Sequence, residues 1–522
     1  MASGEAATGE AQASPLTRLA ELFSAECPAV RHSQRTTDRM AYARDCWPLF
    51  QIRTTAGKVE TLPDLIVWPS STEQVALVHQ FALRHGIPLV PFGAGSGVCG
   101  GAWAARGGII LDLKRLDQIL DVDRESRICR VQAGKNGQLY EEQLNQQGLS
   151  GGHFPSSIYC STVGGWVAAR GAGQCSTQYG KIEDMLVGAT WVKPDGTIHT
   201  VALEDGPDAV GMLDLLVGSE GTLGTLTEIE LRVVPMPETR RFAAFMAPSV
   251  EAGVDLVRRV IQEGALPSVY RMYDPLDTIL IGREGKDAGE GQPSMKKKML
   301  ARVKSQLHPL IEKGERAFLQ DPSILKTLLP LLSARCLVIF MVEGTAEKTD
   351  WELDLIESVG RKLKCESLGD GPGWTWHNHR YHVSYKQSKV YRLGAFVDTM
   401  EISAPYERLP AIYHAVVAEL RGSAVVMAHF SHAYRDGGSI YFTFAAARDT
   451  PQQSEALYLE LWRKALDTVL RLGGSLSHHH GVGVSKARWM APALKGSLPL
   501  TQAVKDSLDP TGYMNPGKLG LV

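Results

Sequence analysis

The sequence carries almost no net charge and no apolar stretch long enough to cross a bilayer. Its 55 basic and 57 acidic residues leave a formal charge of −2, so nucleic acid and anionic membranes have no long-range electrostatic reason to bind it. No apolar run reaches the ~18 residues that a membrane span needs. The eight cysteines, scattered from Cys27 to Cys365, include no C-x-x-C pair. That argues against a disulfide framework or a zinc ribbon and for reduced thiols. The opening stretch, rich in Ala, Gly, Ser and Glu, lacks the basic start and apolar core of a signal peptide. Lys518 to Val522 are not a peroxisomal or retention tag. A cytoplasmic enzyme with a small-molecule or lipid substrate is expected, with a homodimer left open.

What is present is length and a core. The 522 residues are 44% hydrophobic, and single cores stop growing near ~250–300 residues, so more than one domain is expected. Ser71 stands three residues before Gln74, a capping-box spacing. It opens an amphipathic helix through Val75, Val78, Phe81 and Ala82 that ends near Gly86. Short strands follow at Ile87–Pro91, Ile109–Leu113 and Ile128–Val131, then a helix over Leu139–Gln147 and a hairpin turned by Pro194-Asp-Gly. After Pro235-Met-Pro the pattern changes. Strands at Phe242–Met246, Ser268–Met272, Cys336–Glu343, Ala424–Ala428 and Ile440–Phe444 alternate with helices at Val250–Glu263, from Asp350 and from Ala404. Such runs predict an α+β chain whose second domain is an antiparallel sheet. The stretch 282–332 is Lys-rich and then apolar; it reads as a helix packed on that sheet, with peripheral membrane contact as the alternative.

Gly95-Ser-Gly97-Val-Cys-Gly100 matches G-x-G-x-x-G. In a dinucleotide fold that string must open a helix. Here the next strand begins at Ile109, after two further Gly-Gly pairs, and no helix fits the gap. The loop still has a use beyond a plain turn, because successive glycines and Ser96 can aim several N–H groups at one anion. A second stretch from Pro155 to Gly173 places hydroxyls before a run of small residues, which lets a flat ring system lie against backbone. A third runs from Gly218 to Gly224.

The order Pro91-Phe-Gly-Ala-Gly-Ser-Gly, Thr162-Val-Gly-Gly, Tyr179-Gly with Glu183-Asp184, and Gly218-Ser-Glu-Gly-Thr-Leu-Gly resembles the vanillyl-alcohol-oxidase-type (VAO/PCMH-type) FAD domain from Asp64 onward. The resemblance implies a two-part FAD-binding domain at 61–236, a cap domain at 237–470 and a C-terminal helical segment at 471–522 returning to the flavin, behind an N-terminal segment at 1–60. It implies that Pro91, Phe92, Gly93, Ala94, Gly95, Ser96 and Gly97 cradle the FAD pyrophosphate. The flavin and ribityl lining would comprise Pro155, Ser156, Ser157, Ser161, Thr162, Gly164, Gly165, Ala168, Ala169, Arg170 and Gly171, with Glu220, Gly221, Thr222, Leu223, Gly224 and Leu226. Members with covalent flavin carry a His in the first loop; none lies between Pro91 and Gly101, so FAD is expected to be non-covalent.

The string Gly474-Ser-Leu-Ser-His-His-His-Gly-Val-Gly follows a helix ending at Gly473. Three adjacent histidines in a glycine-framed loop suit catalytic imidazoles titrating near neutrality. The competing reading is a zinc site with His429 and His432. Contiguous histidines are expected to point apart and fit no ligand spacing, so no metal is expected. The string is similar to that of alkyldihydroxyacetonephosphate synthases, the ether-lipid branch of this family. That similarity implies catalytic roles for Tyr441, His478, His479, His480 and Arg271. The related 2-hydroxy-acid dehydrogenases carry a metal set of His-x6-His plus a Glu before a His. Here Tyr441 replaces the second His and His479 the Glu. The synthases' phosphate-binding arginine falls at or near Gln387, flanked by Lys386 and Lys389, and lysine neutralises phosphate without a bidentate fork. Three readings stand: an ether-lipid synthase exchanging acyl for alkyl on a phosphate ester, an FAD-linked oxidase or dehydrogenase of a 2-hydroxy acid or other alcohol, and a flavin-binding protein without catalysis.

Overall fold

The computed structural model describes residues 15–280, 316, 319–322, 334–381, 390–391 and 394–522. The expected Lys386, Gln387 and Lys389 lie outside them, as does most of 282–332.

Two larger sheets and a two-stranded ladder, Leu149–Ser150 with Val234–Pro235, form the first half. A four-stranded sheet is ordered Arg31–Ser33, Leu65–Trp68, Ile109–Asp112, Leu89–Phe92, antiparallel at its first pair and parallel elsewhere. The crossover between its parallel strands is the helix Thr72–His85. Ser71 Oγ accepts the Gln74 N–H at 3.3 Å, while the Gln74 side chain reaches back to the Ser70 N–H rather than to Ser71. Gly86 ends the helix at φ +62°. Its inner face buries Val75, Val78, Phe81 and Ala82 against Leu65, Val67 and Ile109; each such large side chain contributes roughly 1.5–3 kcal/mol. The second sheet has five antiparallel strands in the order Ile119–Asp123, Ile128–Gln132, Thr225–Arg232, Leu186–Val192, Ile198–Val201. Between the neighbours Leu89–Phe92 and Ile109–Asp112 the chain makes only turns and bends, as the spacing requires.

The second half is built on a seven-stranded antiparallel sheet ordered Glu366–Gly369, Thr239–Ala247, Cys336–Gly344, Val269–Tyr273, Val425–Ala433, Gly437–Ala447, Ala395–Pro405. Strand side chains alternate between faces. Met272, Phe340, Phe430, Phe442, Met400 and Ile402 point to one side, where the helices Val250–Gln262, Ala346–Lys362, Leu409–Leu420 and Pro451–Arg471 complete the largest core. Arg271, Tyr273, His429 and Tyr441 occupy the other side. One expectation fails here: the helix expected from Ala404 begins at Leu409, and Ala404 belongs to an eleven-residue strand, Ala395–Pro405. Both faces of that strand are covered, which removes the alternation that marks a half-buried strand.

The ends of the chain cross between halves. Pro48–Thr55 packs on the cap helix Pro451–Arg471, and Trp47 Nε1 donates to Tyr458 O–H at 2.9 Å. Near the other end, Tyr513 and Met514 join the first core. There the Leu89 N–H donates to Tyr513 O and the Asn515 N–H to Leu89 O. All eight cysteines are free.

Candidate functional site

The glycine loop is shaped by backbone rather than by side chains. Gly95 and Gly100 sit at φ +65° and +77°, a region that favours glycine. A Cβ at Gly95 would also meet the Phe92 ring at 2.5 Å, and one at Gly93 would run into Thr162 Oγ1, so the first and second stretches touch. The N–H groups of Ala94 to Val98 donate to nothing among the described residues. A row of free N–H groups on a strand-end loop is an anion cradle. Further along, His153 is buried with neither ring nitrogen partnered, packed 4.7 Å from the Trp166 ring. Burial pushes it down to about 3, so the ring is neutral. These groups fit a ligand with an anionic middle and a polar, flat end. His153 was missed because nothing local marks one histidine among the glycines.

The remaining expected cofactor residues divide. Thr162 caps the helix Val163–Ala168 through the Gly165 N–H, beside the first loop. Ser161 accepts Trp166 Nε1 and Ser156 accepts Gln174 Nε2, so both hydroxyls are engaged within the protein. Arg170 pairs with Glu183 at 3.0 Å. Gly164 packs on Ala133, and Leu226 is buried in the second core. Glu220 turns away from the glycines. At φ +49° it accepts the Val482 and Gly483 N–H groups at 2.6 and 2.8 Å, tying the third stretch to the histidine loop.

On the open side of the cap sheet, register places Tyr273, His429, Tyr441 and Glu401 across four adjacent strands. Arg271, two residues before Tyr273, donates from Nη2 to His429 Nε2 at 2.8 Å, and its Nε has no partner. The His429 and Tyr441 rings stack at 4.6 Å. Thr399 Oγ1 donates to the Tyr441 hydroxyl at 3.0 Å, and burial pushes that phenol up to about 12.

Glu401 holds the histidine loop in place. Fully buried, it accepts the Ser477 hydroxyl at 2.6 Å, the backbone N–H groups of His478, His479 and His480, and Lys486 Nζ at 3.2 Å. Burial alone would raise its pKa, but the Lys486 ammonium beside it holds it well below the usual carboxylate range. The triplet is thereby brought against the sheet. His480 meets Tyr441 edge-on at 5.2 Å, and His478 Nε2 lies 3.0 Å from Tyr434 O–H. Ser176, from the FAD side, hydrogen-bonds both Tyr434 O–H at 3.0 Å and His432 Nδ1 at 2.8 Å.

Two expectations about the triplet need correction. The imidazoles do not titrate near neutrality: burial pushes His478 to about 3, His480 to about 4 and His479 well below 6.5, so all three are neutral acceptors or donors at pH 7. Nor do the contiguous rings all point apart, since His478 Nδ1 and His479 Nδ1 face each other at 3.0 Å. Sequence reading missed Glu401, Lys486, Ser176, Tyr434 and Thr399. A buried acid and a lysine 85 positions apart leave no local signal. A separate cavity of about 310 Å³, lined by Arg240, Arg380, Tyr381 and Glu343, contains none of these catalytic candidates.

A glycine cradle on one half and a histidine–tyrosine cluster on the other suit a flavin-dependent enzyme, and comparison with known proteins agrees. Residues 63–202 match the family described as FAD binding domain, and residues 236–519 match FAD linked oxidases, C-terminal domain. The chain belongs to the FAD-linked oxidase family, has the VAO/PCMH-type fold and uses FAD as its cofactor. Within the family it is similar to the alkyldihydroxyacetonephosphate synthase of Dictyostelium discoideum, at 31% identity over 90% of this chain and 75% of that one. A solved alkyldihydroxyacetonephosphate synthase superposes with a TM-score of 0.74 at 27% identity, covering 97% of this chain and 85% of that one. The FAD-linked oxidoreductase YgcU of Escherichia coli (strain K12), named as uncharacterized, is 27% identical over 88% of this chain and 89% of that protein. Family members act on small-molecule or lipid substrates. Among the described residues no helix is long and apolar enough to cross a membrane.

Proposed function

We propose that this enzyme exchanges the acyl group of acyl-dihydroxyacetone phosphate for a fatty alcohol, giving an alkyl ether. The carboxylate leaves C1 as its C–O bond breaks, the alcohol loses its proton as the new C–O bond forms, and net oxidation state is unchanged. The observation that carries this reading is the convergence of Arg271, Tyr441 and His480 on one side of the cap sheet, with the histidine loop fixed by Glu401.

Bound FAD supplies an electron-accepting ring system. The chain's own groups supply the rest. Tyr441, protonated at neutral pH because burial raises its pKa, exchanges the C1 proton. Neutral His480 lies against it and can take or return that proton. Arg271 has an unpartnered Nε and a fixed guanidinium for an oxyanion of the substrate. Lys386 and Lys389 beside Gln387 would add charge for the phosphate. Glu220 ties down the loop behind the triplet from the FAD side.

The test is to mix anaerobic holoenzyme with acyl-dihydroxyacetone phosphate, and separately with a panel of 2-hydroxy acids, and record flavin spectra. The expected result is bleaching with the phosphate ester, alkyl ether on adding a fatty alcohol, and no lasting two-electron reduction. Stable reduced flavin with a hydroxy acid and no ether product would make the enzyme a dehydrogenase instead.

A further inference from the structure

Beside the residues assigned to proton transfer lies a second grouping. One ring nitrogen from each of His432, His478 and His479 falls within 4.8 Å of the others. We propose that these three imidazoles bind one divalent cation of the zinc class, with a fourth position open to an oxyanion. This does not rest on the synthase reading, and its set of three imidazoles is not the His-x6-His plus Glu set weighed above.

His432 is turned toward the loop by a local break in its strand. The register between Val425–Ala433 and Gly437–Ala447 shifts between Ser431 and Ala433, and His432 itself sits at φ +54°. A β-bulge re-aims a side chain, and a non-glycine residue in the left-handed region persists only where its surroundings hold it. The hydrogen bonds around the rings also leave lone pairs inward. Ser176 Oγ takes His432 Nδ1, leaving Nε2 to bind, and Tyr434 O–H takes His478 Nε2, leaving Nδ1. Ser176 and Tyr434 are bonded to each other at 3.0 Å, so a single pair of hydroxyls engages the outer nitrogen of both rings. Metal-ligating histidines are typically oriented in this way through their second nitrogen.

The spacing is within reach of coordination. Zn–N bonds of about 2.0–2.1 Å in a tetrahedral site put ligand nitrogens about 3.3 Å apart. His478 Nδ1 and His479 Nδ1 stand at 3.0 Å, and His432 needs a small ring movement to join them. Three protein ligands leave the open position of a catalytic rather than a structural site. Charge then selects the fourth ligand. All three imidazoles bind as neutral groups, and the nearby Glu401 is already paired with Lys486. The cation's charge is therefore completed by hydroxide or by an anionic substrate oxygen, next to Tyr441, which stacks on His479 at 6.2 Å.

The test uses tag-free, FAD-loaded full-length protein. It is stripped with a chelator, checked for retained flavin, and equilibrated with Zn²⁺ or Co²⁺; bound metal is then counted by mass spectrometry. One ion per chain and a tetrahedral Co²⁺ visible band are expected. His432→Gln should weaken retention at least tenfold while keeping flavin, and Ser176→Ala should weaken it by roughly 10–100-fold as an orienting group. His199→Gln, on the exposed strand Ile198–Val201, should change nothing. Wild-type protein that keeps no metal, or His432→Gln protein that keeps a full equivalent, overturns the site. If His432→Gln loses flavin, Ser176→Ala and the Co²⁺ band decide. Ether formation measured on the same samples keeps the two proposals apart: metal without ether sinks the synthase reading alone, and ether without metal sinks the cation site alone.

Discussion

The glycine cradle and the histidine loop are both glycine-framed, yet they are held by opposite means. The cradle is set by its own backbone: positive φ at Gly95 and Gly100 and close approach to Phe92 and Thr162 shape it from within. The histidine loop borrows its shape from outside. Glu401 receives three consecutive N–H groups and a serine hydroxyl, Glu220 receives the N–H groups of Val482 and Gly483, and Lys486 neutralises Glu401. The cradle should therefore be sensitive to added atoms, and the loop to lost charge.

The largest expected effect breaks the loop. Glu401→Ala leaves Lys486, fully buried, without its counter-ion, which should cost about 3–5 kcal/mol of stability; a thermal or denaturant melt reads this. Glu401→Gln keeps the shape but removes the charge and should lose nearly as much, and a Gln variant close to wild type would mean that shape rather than charge holds the loop. On the cradle side, Gly95→Val should abolish FAD retention, because valine is strained at φ +65° and its Cβ meets the Phe92 ring. The flavin-to-protein absorbance ratio measures it, and a variant with stoichiometric flavin would take this loop out of the binding site. Acid precipitation of wild type should leave FAD in the supernatant, as expected of non-covalent flavin.

Next come substitutions that spare both scaffolds. Tyr441→Phe and His480→Ala should each keep FAD while lowering turnover by roughly two or more orders of magnitude, the usual worth of a positioned acid or base. Steady-state kinetics at matched flavin content is the measurement. The smallest effect concerns neither loop. Trp47→Phe removes one buried hydrogen bond to Tyr458 and should cost about 1 kcal/mol, with flavin content unchanged.

Legibility in the sequence follows the same division. Ser71, Gly86 and the Gly93–Gly101 run were readable because their causes are local: a cap, a left-handed stop, and glycines with no room for a helix before Ile109. The strand Ala395–Pro405 was not. Asp398 and Glu401 look like solvent-facing charges, and only partners far along the chain make them interior. Tyr458 O–H and Trp462 Nε1 reach Asp398 at 2.6 and 2.9 Å, and Lys486 reaches Glu401. Tyr441, His478, His479, His480 and Arg271 could be named from resemblance. The anchor of the histidine loop, Glu401, could not, because its place in the register across four strands decides it.

The order of synthesis gives the crossing of the chain's ends a further meaning. His79 is satisfied by the hydroxyl of Tyr513, 434 positions later, and Asn515 Nδ2 bonds the carbonyls of Gly101 and Glu220. Lys505, also buried, grips the Thr222 carbonyl. The cofactor half, although made first, has an unfilled seam until residues 505–515 leave the ribosome. A chain truncated before residue 505 should therefore retain flavin poorly, which the flavin-to-protein absorbance ratio would read.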